Sequence, residues 1–485
     1  MTSIYFWTIL IYMVALIGIG SIRSRGVQTQ EDFSVAGRKL STFVLFGTML
    51  ATWIGTGSIF GNAEKTYSVG IAAIIIPVSG LLGIIVLYIL AGRVRRLELI
   101  TVQDILETRY NSAARVLGVI TLVMAYTTIV SYQYRAAGAV LNLAAPDISL
   151  FGLSPINTAI ILVTIFIIIY TALAGMFSVA YTDVAMGVTM IIGIVVTLPV
   201  LWFKAGGLEG MQAKLPAGHF DLFGPIGPVE ALGILLPPFL LLLGDANMYQ
   251  RFFSARTEGV ARKAVAWMLL GVGFMEFSII VTAWVASSLE PGLKIPGRVI
   301  AYAARDHLPV ALGAVMLTTI MAIVISTAIS YLLVPATSLM RDIYQRFINP
   351  KASERKIVVL SRLLVILLGI IAFGVSQLSD KFFKVALYAY TLYGAGITPA
   401  LMAAFFWRRA TTAGAVSSIS IGTGLALIWQ LFDLGARAPK ALGLSVEIDA
   451  AIPAVLASVL TLILVSLATA PPGREKLAPF FGEAV

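Results

Sequence analysis

About thirteen stretches of this chain stay apolar for roughly 20 residues each, the length a helix needs to cross a hydrocarbon core of about 30 Å. They fall roughly at 4–22, 42–62, 70–92, 113–143, 156–174, 178–203, 229–252, 261–287, 309–341, 357–378, 383–407, 413–432 and 449–470. Most are apolar on both faces, whereas membrane strands alternate with period two over about 10 residues. A water-soluble domain cannot hide so much apolar surface. Of the 485 residues, 59% are hydrophobic and 12% charged, against about 45–50% and about 25% in soluble chains. The chain is therefore expected to be an all-α membrane protein with about 13 transmembrane helices. Its first run lacks a basic leader region and a small-residue cleavage site, so it reads as a retained helix.

The net charge of +10 would suggest nucleic acid as a partner if the protein were soluble, but the basic residues cluster in alternate loops. Arg38, Lys39, Arg93, Arg95, Arg96, Arg341, Arg346, Lys351, Arg355 and Lys356 all fall on one side. By the positive-inside rule that side is cytoplasmic, which puts the N-terminus outside and the C-terminus inside a plasma membrane of the bacterial inner type. Lys65 and Arg135 fall at membrane depth instead. There is no cysteine, and His219 and His307 are the only histidines, so thiolate metal sites, disulfides and nearly all histidine catalysis are excluded. No GxxxxGK[ST] occurs and Ser326 has no histidine within the spans, so neither an ATPase nor an intramembrane enzyme is expected.

Two runs carry helix breakers at matched positions. FGTMLATWIGTGSIFGNAEKTY contains Gly47, Gly55, Gly57 and Gly61, and LGILLPPFLLLLGDANMYQRFF contains Gly233, Pro237, Pro238 and Gly244. An unsatisfied amide in hydrocarbon costs several kcal/mol, so ordinary spans avoid broken backbone, whereas a transport site needs it at the midplane. Glycine also serves close helix packing. The two runs lie five helices apart and run in opposite directions, as two inverted five-helix repeats at about 41–203 and 229–407 would require. Residues 1–40 are then a peripheral first helix and loop, and 411–485 two additional helices with a short tail.

The segments DFSVAGRKL, ATWIGTGSIFGNAEKTY, ALAGMFSVAYTDV, YQRFFSAR and ISTAISYLLVPATSLMRDIYQRF, in this order, resemble the sodium:solute symporter family. The resemblance covers about residues 30–410 and implies LeuT-like inverted five-helix repeats with a broken first helix in each. It also implies sodium-coupled import of a small organic solute by alternating access. Within the family, ATWIGTG and SVAYTDV are most similar to choline-type carriers. Trp53 stands where those carriers have a tryptophan, but Ile129, Asp245 and Ala386 stand where they use aromatics, so the substrate does not carry over.

A desolvated sodium ion needs hard oxygen donors. By resemblance these are the hydroxyls of Ser326 and Thr327 and the carbonyls of Ala51, Ile54 and Ile323. The bland alternative is that each hydroxyl bonds back to its own helix. Asp183, buried in a span, needs a cation or hydroxyls. In some family members the corresponding residues hold a second cation, for which Ser330 is present here while Ile329 replaces another serine.

Trp53, Gly57, Ser58, Arg135 and Asp245 are the candidate solute contacts. Arg135 offers a fork for a carboxylate, with Glu276 at similar depth as its rival partner. Asp245 follows the second break and suits an amine, sodium or a proton. Tyr132, Gln133 and Tyr134 share a stretch with Arg135, although tyrosines at the lipid interface are commoner than pocket tyrosines. Glu64 and Lys65 are expected to form an interfacial pair or gate.

Sodium is thus the expected coupling ion and no organic cofactor is expected. The expected partners are a small-molecule solute and membrane lipids, with no nucleic acid, and one copy suffices for the scheme. Proton coupling through Asp183 or Asp245 is the rival within transport, and a membrane sensor on a transporter scaffold the rival outside it.

Overall fold

The computed structural model describes residues 2–24, 29–150, 152–379, 382–441 and 447–482. Among them the chain is helical, with an isolated bridge between Leu40 and Ala255 and no strand. Helix α1 (Thr2–Ser24) lies against the kinked helix described below. Helix α2 (Thr42–Trp53) starts where the Ser41 side chain accepts from the Val44 amide, and it stops where Ile54 turns extended. A wide turn at Gly57–Gly61 resumes the path into α3 (Asn62–Val69). Next come α4 (Ile75–Arg96) and α5 (Ser112–Ala144), the latter capped by Asn111.

Helix α6 (Pro155–Ala205) contains Gly175 at φ 66° and ψ 170°, a conformation that only glycine adopts without strain, and it is in effect two helices. The sequence runs 156–174 and 178–203 are its two halves. The next span is also divided, into α7 (Pro228–Gly244) and α8 (Ala246–Ser254). Its interruption lies at Asp245, whereas Pro237 and Pro238 sit inside α7. Prolines are tolerated within membrane helices because neighbours re-satisfy the freed carbonyls. The break instead follows Gly244, where an added Cβ would collide with the Thr398 hydroxyl.

Helices α9 (Glu258–Leu289), α10 (Val310–Ser338) and α11 (Glu354–Ser376) follow. The pair α12 (Phe382–Gly396) and α13 (Thr398–Phe406) bends by 42°, and α14 (Thr412–Leu431) and α15 (Ala451–Ala468) complete the bundle. Among the described residues nine helices are long and apolar enough to cross a membrane, or ten with the bent pair joined. The other expected runs are two shorter apolar helices, Ile4–Gly20 and Thr42–Trp53, and the half of α6 beyond Gly175.

Helix α10 is the most buried of these spans and packs against α5 and α6, with α1, α2 and α11 also in contact. Its adjacent hydroxyls therefore face protein. Lipid-type exposure is found elsewhere, for example at Leu363, Leu367 and Ile370 of α11.

Candidate functional site: an oxygen cluster and a midplane cavity

Where α2 stops, its last carbonyls lose their helical amide partners, and hydroxyls of α10 meet them instead. Ser326 Oγ donates to the Ala51 carbonyl at 2.8 Å, and Thr327 Oγ1 lies 3.3 Å from both the Thr52 and Ile54 carbonyls. Both hydroxyls also reach the Ile323 carbonyl of their own helix, at 3.0 and 3.2 Å. That back-bonding is the ordinary habit of Ser and Thr in spans, and the contacts across to α2 are what exceed it. All five oxygens expected to hold sodium are thereby brought into one fully protein-enclosed cluster, Ser326 at 0% and Thr327 at 4% exposure. Gly55 permits the approach, since a Cβ there would stand 2.7 Å from Thr327 Oγ1. Carbonyl and hydroxyl oxygens without a carboxylate suit a hard monovalent cation.

Beside this cluster lies a cavity of about 50 Å³, lined among others by Trp53, Gly57, Ser58, Gln133, Glu276 and Tyr390. Trp53, Gly57 and Ser58 thus stand where a solute contact was expected, and Gly57 lets Tyr390 close in, its hydroxyl 2.5 Å from where a Cβ would be. Tyr132 and Gln133 also line the cavity, and together with Tyr134 they are buried, so none of the three belongs to a lipid-facing belt. The Tyr132 and Tyr390 hydroxyls lie 3.2 Å apart. Gln133 Oε1 accepts from the Thr56 amide and hydroxyl, capping the interrupted helix, while Gln133 Nε2 has no partner among the described residues.

Arg135 and Asp245, expected to reach the solute, do not line this cavity. Arg135 Nη1 donates to the Ser376 carbonyl at 2.9 Å. Glu276 accepts from Ser58 Oγ at 2.6 Å and from Asn62 Nδ2 at 2.8 Å. The Asp245 carboxylate caps the Asn247 amide at 2.9 Å and accepts from the Tyr126 and Tyr331 hydroxyls, the latter at 3.1 Å. Since Tyr331 lines the cavity, Asp245 acts on it at one remove.

Asp183 has both a cation and a hydroxyl. Its Oδ2 accepts from Thr48 Oγ1 at 2.5 Å and from Arg251 Nη2 at 3.1 Å, and the same nitrogen reaches Ser330 Oγ at 2.9 Å. The guanidinium of α8 therefore bridges the two side chains expected to flank a second cation. Elsewhere, Arg115 pairs with Asp342 at 2.7 Å and with Asp104 and Glu107, joining α5 to the segment after α10. Lys65 pairs with Glu230 at the start of α7. Lys65 and Glu230 line a vestibule of about 540 Å³ that shares Phe383 and Leu387 with the cavity.

The sequence pattern that defines the sodium:solute symporter family matches residues 33–422. The chain belongs to that family. Sodium-coupled solute symport is therefore its activity, and the family is one of transporters rather than enzymes. The chain is 25% identical over 477 residues to the high-affinity proline transporter PutP of Bacillus subtilis (strain 168), covering 94% of this chain and 96% of that protein. It is also 25% identical to a sodium/proline symporter of Haemophilus influenzae, covering 87% of each.

Among solved structures, a sodium-coupled sialic acid symporter in a substrate-bound outward-open state superimposes with a TM-score of 0.79 at 18% identity, over 96% of this chain and 98% of that one. A nucleobase-cation-symport-1 family transporter in a closed conformation follows at 0.55 and 12% identity, over 92% and 97%. These likenesses establish the LeuT-like fold of inverted repeats with broken first helices.

The sequence offers Gln133 only as a neighbour of Arg135 and Glu276 only as its rival partner, and it does not single out Tyr331 or Arg251, because depth along a helix does not reveal the face. Arg251 stood in the quoted YQRFFSAR segment, six residues past Asp245, and an arginine that close to a midplane break was the signal that could have marked it.

Proposed function

We propose that one sodium ion is carried on the carbonyls of Ala51, Ile54 and Ile323 and the hydroxyls of Ser326 and Thr327, together with a solute in the adjoining cavity. The observation that carries this reading is the reach of both α10 hydroxyls across to the carbonyls exposed where α2 ends. Sodium contacts at the end of α2 and in the middle of α10 tie the two helices together, so ion binding favours the arrangement in which the cavity wall is complete. Trp53, Gly57 and Ser58 contact the solute, and Gln133 Nε2 offers it a donor. A cavity of about 50 Å³ is well below the roughly 300–1,000 Å³ of ordinary ligand pockets, so solute entry requires its walls to part.

The site lies between the two repeats, about 41–203 and 229–407, and the broken-helix bundle rocks to open it alternately to each side. The arginine-rich loops support an N-terminus outside and a C-terminus inside a plasma membrane of the bacterial inner type. In that orientation the 540 Å³ vestibule faces outward, and Phe383 and Leu387, flanked by the Lys65–Glu230 pair, are the outer gate. The chain works as a monomer in lipid, and no step requires an organic cofactor.

Arg251 supports a stoichiometry of one. A second cation between Asp183 and Ser330 would stand against a guanidinium already bonded to both. One sodium suffices for accumulation: about 2.3 kcal/mol per charge at 100 mV and about 1.4 kcal/mol per tenfold gradient give roughly 500-fold for a neutral solute. Proline, named for the relatives above, is the first solute to assay.

The test is uptake into proteoliposomes at fixed pH, with inward sodium or an equal concentration of potassium and the voltage clamped. Uptake that requires sodium is expected. Uptake that proceeds without sodium and follows an imposed proton gradient would replace sodium by protons as the coupling ion.

A further inference from the structure

Four buried acidic sites lie among the described residues of this bundle, and they are neutralised differently; Asp245 is held by the Asn247 amide and the Tyr126 and Tyr331 hydroxyls and does not line the cavity. Asp183 has Arg251, and Asp104 and Asp342 share Arg115. Glu276, at 3% exposure, has hydrogen bonds from Ser58 and Asn62, both neutral, and among the described residues no Lys or Arg lines the cavity it faces. A carboxylate has about four acceptor positions, and these two bonds use two of them. A carboxyl kept at membrane depth without a resident counter-charge either holds a proton or takes its counter-charge from a ligand.

The surrounding wall favours the ligand. Trp53, Tyr132, Tyr331 and Tyr390 line the cavity with aromatic rings, and aromatic faces attract cations. In the vestibule beyond Phe383 and Leu387, Glu230 pairs with Lys65 and Glu447 with Lys384 at 3.8 Å, and Asp449 adds a third carboxylate. Carboxylates at a narrowing mouth concentrate positively charged solutes.

The geometry points to a solute bearing a positively charged nitrogen, with the Glu276 carboxylate as its counter-charge in the cavity. This deepens the symport reading and rests on it. The ammonium or quaternary nitrogen sits between Glu276 and the aromatic wall, beside the oxygen cluster rather than in it. Glu276 is then a specificity residue for the solute and not a ligand of sodium.

The experiment is thermal unfolding of the purified full-length protein in sodium or potassium. The probes are putrescine and choline as net cations, proline and trimethylglycine as zwitterions, and lactate, pyruvate and glucose as solutes without charged nitrogen. Only probes with a charged nitrogen are expected to raise the unfolding temperature, and the cation and zwitterion arms separate a lone amine from one accompanied by a carboxylate. Glu276→Gln is expected to weaken the effective probe at least tenfold while leaving half-saturation by sodium alone unchanged. Glu276→Asp, which keeps the charge, is expected to retain the preference for nitrogen and guards against a fold defect in the amide variant.

Stabilisation by lactate, pyruvate or glucose, or by none of the amines, overturns the proposal. So does a Glu276→Gln protein that loses sodium binding and keeps its solute ranking, because Glu276 would then serve the ion. Amine binding that is equal in sodium and potassium leaves this inference standing and defeats the sodium site instead.

Discussion

Replacing Thr327 by valine removes one hydroxyl and keeps the shape and β-branching of the side chain, so the change reads the oxygen alone. The lost Oγ1 lies 3.2–3.3 Å from three carbonyls, those of Ile323, Thr52 and Ile54, in a place only 4% exposed. A hydrogen bond to a charged group contributes about 1.5–3 kcal/mol. Loss of one of five oxygens around a desolvated cation is of that order. At about 1.4 kcal/mol per factor of ten, half-saturation by sodium is expected to rise roughly 10- to 150-fold, with solute affinity at saturating sodium nearly preserved. Thr327→Ser keeps the oxygen and is expected to stay near the wild type. The assay is initial uptake into proteoliposomes as sodium is titrated against potassium at constant ionic strength. A valine variant with unchanged sodium dependence would refute the reasoning, because the hydroxyl would then be a helix back-bond and nothing more.

Gly55→Ala is expected to mimic and exceed that defect, since its Cβ would push Thr327 off the carbonyls; a sodium titration of uptake checks it. Arg251→Ala leaves Asp183 buried without its cation, which costs about 3–5 kcal/mol and should appear as a marked fall in unfolding temperature, largely recovered by adding Asp183→Asn. Gln133→Ala is expected to raise the concentration of solute needed for half-maximal uptake roughly 5- to 150-fold, the cost of about 1–3 kcal/mol for a buried polar group left unpaired. Arg135→Ala, two residues away, is expected to leave that concentration unchanged in the same assay.

The contrast between Gln133 and Arg135 shows where sequence reading stops. Ile129, Tyr132 and Gln133 share one helical face because they are three and four residues apart, and all three line the cavity. Arg135 is two residues beyond Gln133, about 200° round the helix, so equal depth gave it the opposite face. The oxygen cluster was legible for a different reason. Ser326 and Thr327 are adjacent hydroxyls in one span and the glycines around Ala51 marked an interruption, while the resemblance to the family supplied the carbonyls of Ala51, Ile54 and Ile323. The second break was legible as an interruption, but its position was not. Pro237 and Pro238 were the louder signal, yet the chain turns at Asp245, where Thr398 packs against Gly244 and the aspartate caps the next helix. Arg251 could be placed beside Asp183 only by packing, since 68 residues separate them.

The central claim is that sodium is held by oxygens contributed jointly by the end of α2 and the middle of α10. Equilibrium binding of radioactive sodium to the purified protein, with potassium as competitor, addresses it most directly. The account predicts one saturable, potassium-resistant ion per chain in the wild type, and its loss in a protein carrying both Ser326→Ala and Thr327→Val. Undiminished binding in that double variant, or two ions per chain in the wild type, would contradict it.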